Sequence, residues 1–220
     1  MNDLTRRLRR TLLLASSLLP LSMTAIFIVG RWPEYWKWIA SEDTPMTSLE
    51  VAVMYTCALA AWAAAAMHHL RGAADPARRW LVLGAGFLFL SLDDRFAIHE
   101  RIRDQFLAPH AISLPFLPLA PGDFVLLLYM LGGLLVLPWL LPLWRQHQAA
   151  RRRFLTGVGV AALAVLVDAW DIHRLDLAGQ RLLQTVEECL ELAAQVLFLQ
   201  GILLAWLADA QAGDEHREMS

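Results

Sequence analysis

Residues 183–207 read LQTVEECLELAAQVLFLQGILLAWL, and this stretch decides the fold. It is long enough and apolar enough to be a membrane-spanning helix, for which about 20 residues are needed. Yet it carries Gln184, Glu187, Glu188, Glu191 and Gln195 in its first half. Gln184, Glu188, Glu191 and Gln195 follow the spacing i, i+4, i+7, i+11, which puts them in one stripe on a helix, with Glu187 beside it. A stripe of carboxylates on an apolar helix must face the inside of a bundle. The fold class predicted is therefore all-α, a polytopic integral membrane helix bundle.

Working outward, apolar runs at about 11–31, 47–68, 79–99, 123–144 and 154–173 complete a set of six spans, and 57% of the 220 residues are hydrophobic. The expected organisation is one six-helix membrane domain over residues 1–208, followed by a polar, disordered tail at 209–220. The first run follows Arg6, Arg7, Arg9 and Arg10 as a signal peptide would. It is read as a retained span because it is long and lacks a small-x-small cleavage site after it. The fourth carries Gly132, Gly133, Pro138 and Pro142 but no acid, which suggests a scaffold or a substrate contact.

Orientation follows from Lys and Arg, which are enriched in cytoplasmic loops. The N-terminus and the second and fourth connections hold eleven such residues, and the other side holds six: Arg31, Lys37, Arg101, Arg103, Arg174 and Arg181. Both termini are then inside. The expected location is the inner (plasma) membrane of a bacterium, with membrane lipids as neighbours. Basic residues are not interleaved with aromatics, so no nucleic-acid partner is expected. Oligomeric state is not legible.

In that topology every intramembrane acid falls at the outer end of the bundle. Glu50 opens span two. Asp93, Asp94, His99 and Glu100 close span three; Asp168, Asp171 and His173 close span five; Glu187, Glu188 and Glu191 lie near the start of span six. Each charge at the centre of a span costs roughly 2.5–3.5 kcal/mol, so such a group must be paired, hydrated or bound to a cation. Spans three and five both end in Asp-x-aromatic-x-Ile-His, at 94–99 and 168–173.

Two helices thus offer carboxylates and two offer Asp followed by His. This inventory resembles the ligand set of di-iron and di-manganese four-helix bundles, in which two helices give Glu and two give Glu-x-x-His. The resemblance implies a divalent metal, Fe or Mn ahead of Zn, as one ion or two. The ligands would be Glu50, Asp94, His99, Asp168, His173 and Glu188, with Glu191 and Glu100 as catalytic carboxylates. Asp171 and Glu187, with Glu100 in an alternative role, are candidates for orienting those ligands, while Asp93 is an alternative ligand to Asp94 and has no assigned role. One feature departs from the pattern: Asp to His at i+5 turns about 140° around a helix, so the pair chelates only if the helix end unwinds. The membrane zinc hydrolases related to alkaline ceramidases and adiponectin-type receptors have a His-x-x-x-His pair that this chain lacks.

The function expected is a metal-dependent membrane enzyme, oxidoreductase ahead of hydrolase, acting on a hydrophobic or lipidic small molecule. The alternatives are a metal-ion or proton transporter with the acidic cluster as its outer site, and a membrane assembly subunit without catalysis. A salt-bridged network is the bland account of the cluster, with Arg95, Arg101, Arg103, Arg174 and Arg181 as its cations. Cys57 and Cys189 read as apolar core residues, and Arg31–Trp38 as an interfacial aromatic belt. The Pro-rich connection 108–123 reads as a stiff loop or a lid. His68, His69, His147 and His216 are expected to be solvent-facing or interfacial, and His110 lies near the mouth of the cluster.

Overall fold

The computed structural model describes residues 3–40, 43–112, 122, 124–168 and 175–218, with the side chains of 3–5 and 212–218 left aside. Among the described residues there are helices and turns and no strand. The helices are α1 (Asp3–Gly30), α2 (Trp36–Ile39), α3 (Pro45–Leu70), α4 (Ala74–Phe96), α5 (Ile98–Ile102), α6 (Val125–Leu140), α7 (Gln148–Asp168) and α8 (Leu177–Glu218). A π turn (Arg103–Leu107) and two 3-10 turns (Ala108–His110, Leu141–Trp144) complete them.

Each of the six expected spans falls largely on a helix over its described residues, the last five residues of the fifth lying outside them. Four of them, within α1, α3, α6 with its following turn, and α8, are long and apolar enough to cross a membrane. The other two are less apolar because their ends are charged. The apolar part of α4 runs from Trp80 to Leu92 and that of α7 from Phe154 to Val167. Each is about 20 Å long at 1.5 Å per residue.

Local signals fix the helix ends. Thr44 caps α3, its hydroxyl accepting from the Thr47 amide at 3.4 Å, and Pro45 occupies the first turn, where its missing N–H costs nothing. Asp176 does the same for α8, accepting from the Gly179 amide at 2.8 Å. That cap starts α8 six residues before the expected span. The polar tail expected from Asp209 is helical as far as it is described, because α8 runs on to Glu218.

Packing builds two hairpins, α3 with α4 and α7 with α8, joined where α3 meets α8. Small residues allow the close approach. A Cβ on Gly201 of α8 would stand 2.9 Å from the Phe154 side chain of α7. α1 lies against α8, and α6 touches α4 and α7 only lightly. The core is apolar and aromatic, with Trp80, Trp144, Phe154 and Phe198 in ring contact. The outside is apolar too, with Leu18, Leu19, Leu21 and Val29 exposed along α1.

Away from the acids, the far end of the bundle holds a half-buried knot. Asp209 takes His68 Nε2 at 3.0 Å on one oxygen and His147 Nε2 at 2.9 Å on the other. Arg71 donates to its carbonyl at 2.8 Å. His68 and His147, half-buried at this end, thus tie α3, the α6–α7 connection and α8 together instead of standing free in solvent.

Candidate functional site

The acids converge because four helices begin or end at one level. Glu50 sits in the second turn of α3 and is 1% exposed. Asp93 and Asp94 lie in the last turn of α4, Asp168 is the last residue of α7, and Glu187, Glu188 and Glu191 come in the third and fourth turns of α8. Glu50 feels the charges of Glu188, Glu191 and Asp94, and hydrogen-bonds Glu188. Glu187 hydrogen-bonds Asp168, which also acts on Glu188 and Glu191. Carboxylates this close repel one another unless a proton or a cation lies between them.

The i+5 spacing is resolved by a break in the helix. Ala97 adopts a left-handed conformation (φ 47°, ψ 47°), its amide closing on the Asp93 carbonyl, and α4 stops there. The chain folds back so that Asp93 Oδ1 accepts the His99 amide at 2.9 Å and Asp93 Oδ2 lies 2.7 Å from His99 Nδ1. Asp93 is spent on orienting His99 through Nδ1, and the charges of Glu100 and Asp168 also act on the ring. This is the carboxylate–histidine arrangement that commonly presents an imidazole to a metal. Asp94 points elsewhere, its Oδ2 buried with no partner, as is Glu50 Oε1.

Tyr129 of α6 also belongs here, donating to Asp93 Oδ1 at 3.2 Å. It escaped the sequence reading, although it is the only hydroxyl between Phe124 and Trp144. The bland account through arginines loses two of its cations. Arg95 turns outward to Asp43 at 2.6 Å. Arg181 stacks on Trp36, 3.8 Å from the ring centroid, in the segment expected to be an aromatic belt. There Lys37, 2.8 Å away, holds the exposed Glu34 carboxyl below its ordinary value, with weaker help from Arg31 and Arg181. The charges acting most strongly on Glu50, Glu188 and Glu191 are those of other carboxylates.

These groups form the polar end of a cavity of about 770 Å³ between α4, α6, α7 and α8. Arg95, Arg101, Arg103, Asp104 and Gln105 line that end as well; beyond it the wall is apolar, with Phe87, Met130, Leu137, Leu140, Val158 and Phe198, and Gln195 is the one polar side chain deeper than Glu191. Val82 and Phe89 of α4 and Leu134 and Val136 of α6 both line the cavity and lie exposed, so it opens sideways between those helices.

Of the expected metal ligands, Glu50, Asp94, His99, Asp168 and Glu188 are gathered at this end, with Glu191 and Glu100 among them. His173 and Asp171, and with them the second half of the Asp-to-His echo, lie outside the described residues, as does most of the expected lid. Among the described residues, no three His, Cys, Asp or Glu side chains stand close enough to hold a metal ion as they are.

A family model matches residues 11–206, which takes in every helix that builds the cavity. The chain belongs to the DUF8692 family, a domain of unknown function. No curated protein and no solved structure matches it.

Proposed function

We propose that this DUF8692 member is a six-span membrane protein, with both termini in the cytoplasm, that binds a divalent metal at its acidic end and uses it on an apolar or amphiphilic molecule held in the cavity. The observation that carries the reading is the set of buried carboxylates, Glu50 and Asp94 each with an oxygen left unpartnered, at the polar end of an otherwise apolar cavity. A polar group left without a partner in such surroundings costs several kcal/mol unless a ligand satisfies it. Glu50, Asp94, Asp168 and Glu188 supply oxygen donors and His99 a nitrogen, a set that suits Fe or Mn, then Zn. Rotation of the carboxylate side chains would close them on an ion. A metal there supplies a Lewis acid or a redox centre. Asp93 orients His99, and Glu191 and Glu100 are placed to take or give a proton.

The transporter alternative needs a polar route onward. Below Gln195 the cavity wall is apolar down to Phe154 and Leu140, which favours a blind pocket over a conduction path. Elemental analysis of the detergent-purified chain tests the reading, with the Glu188→Ala/Asp168→Ala variant beside it. Near-stoichiometric Fe, Mn or Zn, absent from the variant, is expected. A wild-type chain that stays free of metal after loading with each ion would sink the proposal. Glu188-dependent cation uptake into proteoliposomes would replace it with transport.

A further inference from the structure

Three glycines on the cavity wall, Gly86 of α4 and Gly132 and Gly133 of α6, have nothing within 4 Å of the place a Cβ would take. Gly157 and Gly201 behave differently: a Cβ on either would meet a phenylalanine of the facing helix. Glycine at a helix contact normally lets two backbones approach. Gly86, Gly132 and Gly133 instead border unfilled space, along two helices that hardly touch.

The unfilled space has polarity at two depths. At one end stand Asp94, Glu188 and Glu191. Four residues further along α8, about 6 Å down the helix, comes the Gln195 amide. Gln195 is 5% exposed, and its side-chain oxygen has no partner. A buried amide on an apolar wall calls for a hydroxyl or amide on whatever fills the cavity.

Size narrows the choice. At ~30 Å³ for each water-sized group, 770 Å³ takes roughly 25 heavy atoms. That is one long alkyl or acyl chain with a small polar head, and too little for a second chain.

We infer that the cavity binds a single-chain membrane amphiphile that enters sideways between α4 and α6, lays its chain along Gly86, Gly132 and Gly133, and sets its polar head between Gln195 and the carboxylates. This rests on the reading of the preceding subsection, whose substrate it names. The glycines keep the slot open, and Gln195 sets how deep the head descends. Entry needs no passage through water, since the opening lies between exposed apolar residues on both helices.

The test uses the full chain in lipid nanodiscs and a diazirine-bearing C16 fatty alcohol as probe, with labelled peptides mapped by mass spectrometry. A diazirine-bearing two-chain phosphatidylcholine is the comparison. Labelling by the single-chain probe should concentrate on the wall formed by Phe87, Met130, Leu137, Val158 and Phe198. Gly133→Phe fills the slot and should cut that labelling at least tenfold. Gly159→Phe is the control for folding, because Gly159 also has open space around it but lies off the cavity wall; it should label as wild type does. Equal labelling of the wall in Gly133→Phe and wild type overturns the inference. So does labelling of the exposed face of α1 as heavy as that of the wall, or equal entry of the two-chain probe.

Metal content of the same preparations separates the two readings. Metal present with the wall unlabelled overturns the amphiphile alone. A labelled wall with no metal upholds the amphiphile and removes the metal.

Discussion

The two ends of the bundle treat their carboxylates in opposite ways. At the far end, Asp209 has both oxygens taken by histidines and its carbonyl taken by Arg71. At the acidic end, Glu50 and Asp94 each keep a buried oxygen without a partner, and the neighbours that act most strongly on Glu50 are other acids. Both clusters are polar groups set among apolar helices. A cluster that serves only to hold helices together satisfies itself, since each bond to a charged group contributes about 1.5–3 kcal/mol. A cluster that leaves lone pairs open carries a cost that a purely structural role would have removed. The contrast, more than the number of acids, is what supports the proposal that the acidic end is the functional one.

Four variants would break or sharpen that contrast. The largest effect is expected from Glu50→Gln/Glu188→Gln. It should abolish bound metal, read by elemental analysis, while raising the unfolding midpoint of the metal-free chain, because two crowded acids become neutral isosteres. A metal-free midpoint that falls instead would mean that these acids are structural.

Next comes Asp209→Ala, which strands His68 and His147. It should destabilise the protein by about 3 kcal/mol in denaturant unfolding and leave metal content unchanged. Loss of metal there would erase the distinction between the ends.

Asp93→Asn should weaken metal affinity ~10–100-fold in competition with a chelator, because the His99 ring loses the carboxylate that orients it. Unchanged affinity would remove His99 from the site. The smallest effect belongs to Ala97→Gly. Relieving a left-handed alanine should stabilise by about 1 kcal/mol, set against the extra freedom of glycine in the unfolded chain. Destabilisation would show that the turn draws on the Ala97 side chain.

The positions of the six long helices and the convergence of the acids were legible in the sequence, because both follow from apolar run length and helical period. What the sequence hid came from places where the helix stops being regular or where distant segments meet. The Asp94-to-His99 spacing looked like a defect, and only the left-handed Ala97 shows how His99 turns back onto Asp93. Arg95 looked like a counter-ion for Asp94, but the last turn of α4 aims it at Asp43. Asp209 and His147 are 62 positions apart, and nothing in either local pattern announces their bond. Tyr129 alone left a trace, as a lone hydroxyl in a hydrocarbon run. The count of spans was the weakest inference: α4 and α7 have the right period and place, but charge at both ends shortens their apolar lengths.

That shortening has a consequence for the surrounding lipid. A hydrocarbon layer is about 30 Å thick, whereas α4 and α7 offer about 20 Å of apolar length, and both end in the acids. In the membrane-spanning reading this is hydrophobic mismatch confined to one side of the molecule, where a bilayer responds by thinning. Headgroups and their water would be drawn down beside Asp94 and Asp168, while the longer α1 and α3 keep full thickness on the opposite flank. The protein would thus dimple the membrane at the mouth of its own cavity, which shortens the distance that a lipid head has to travel to reach the carboxylates.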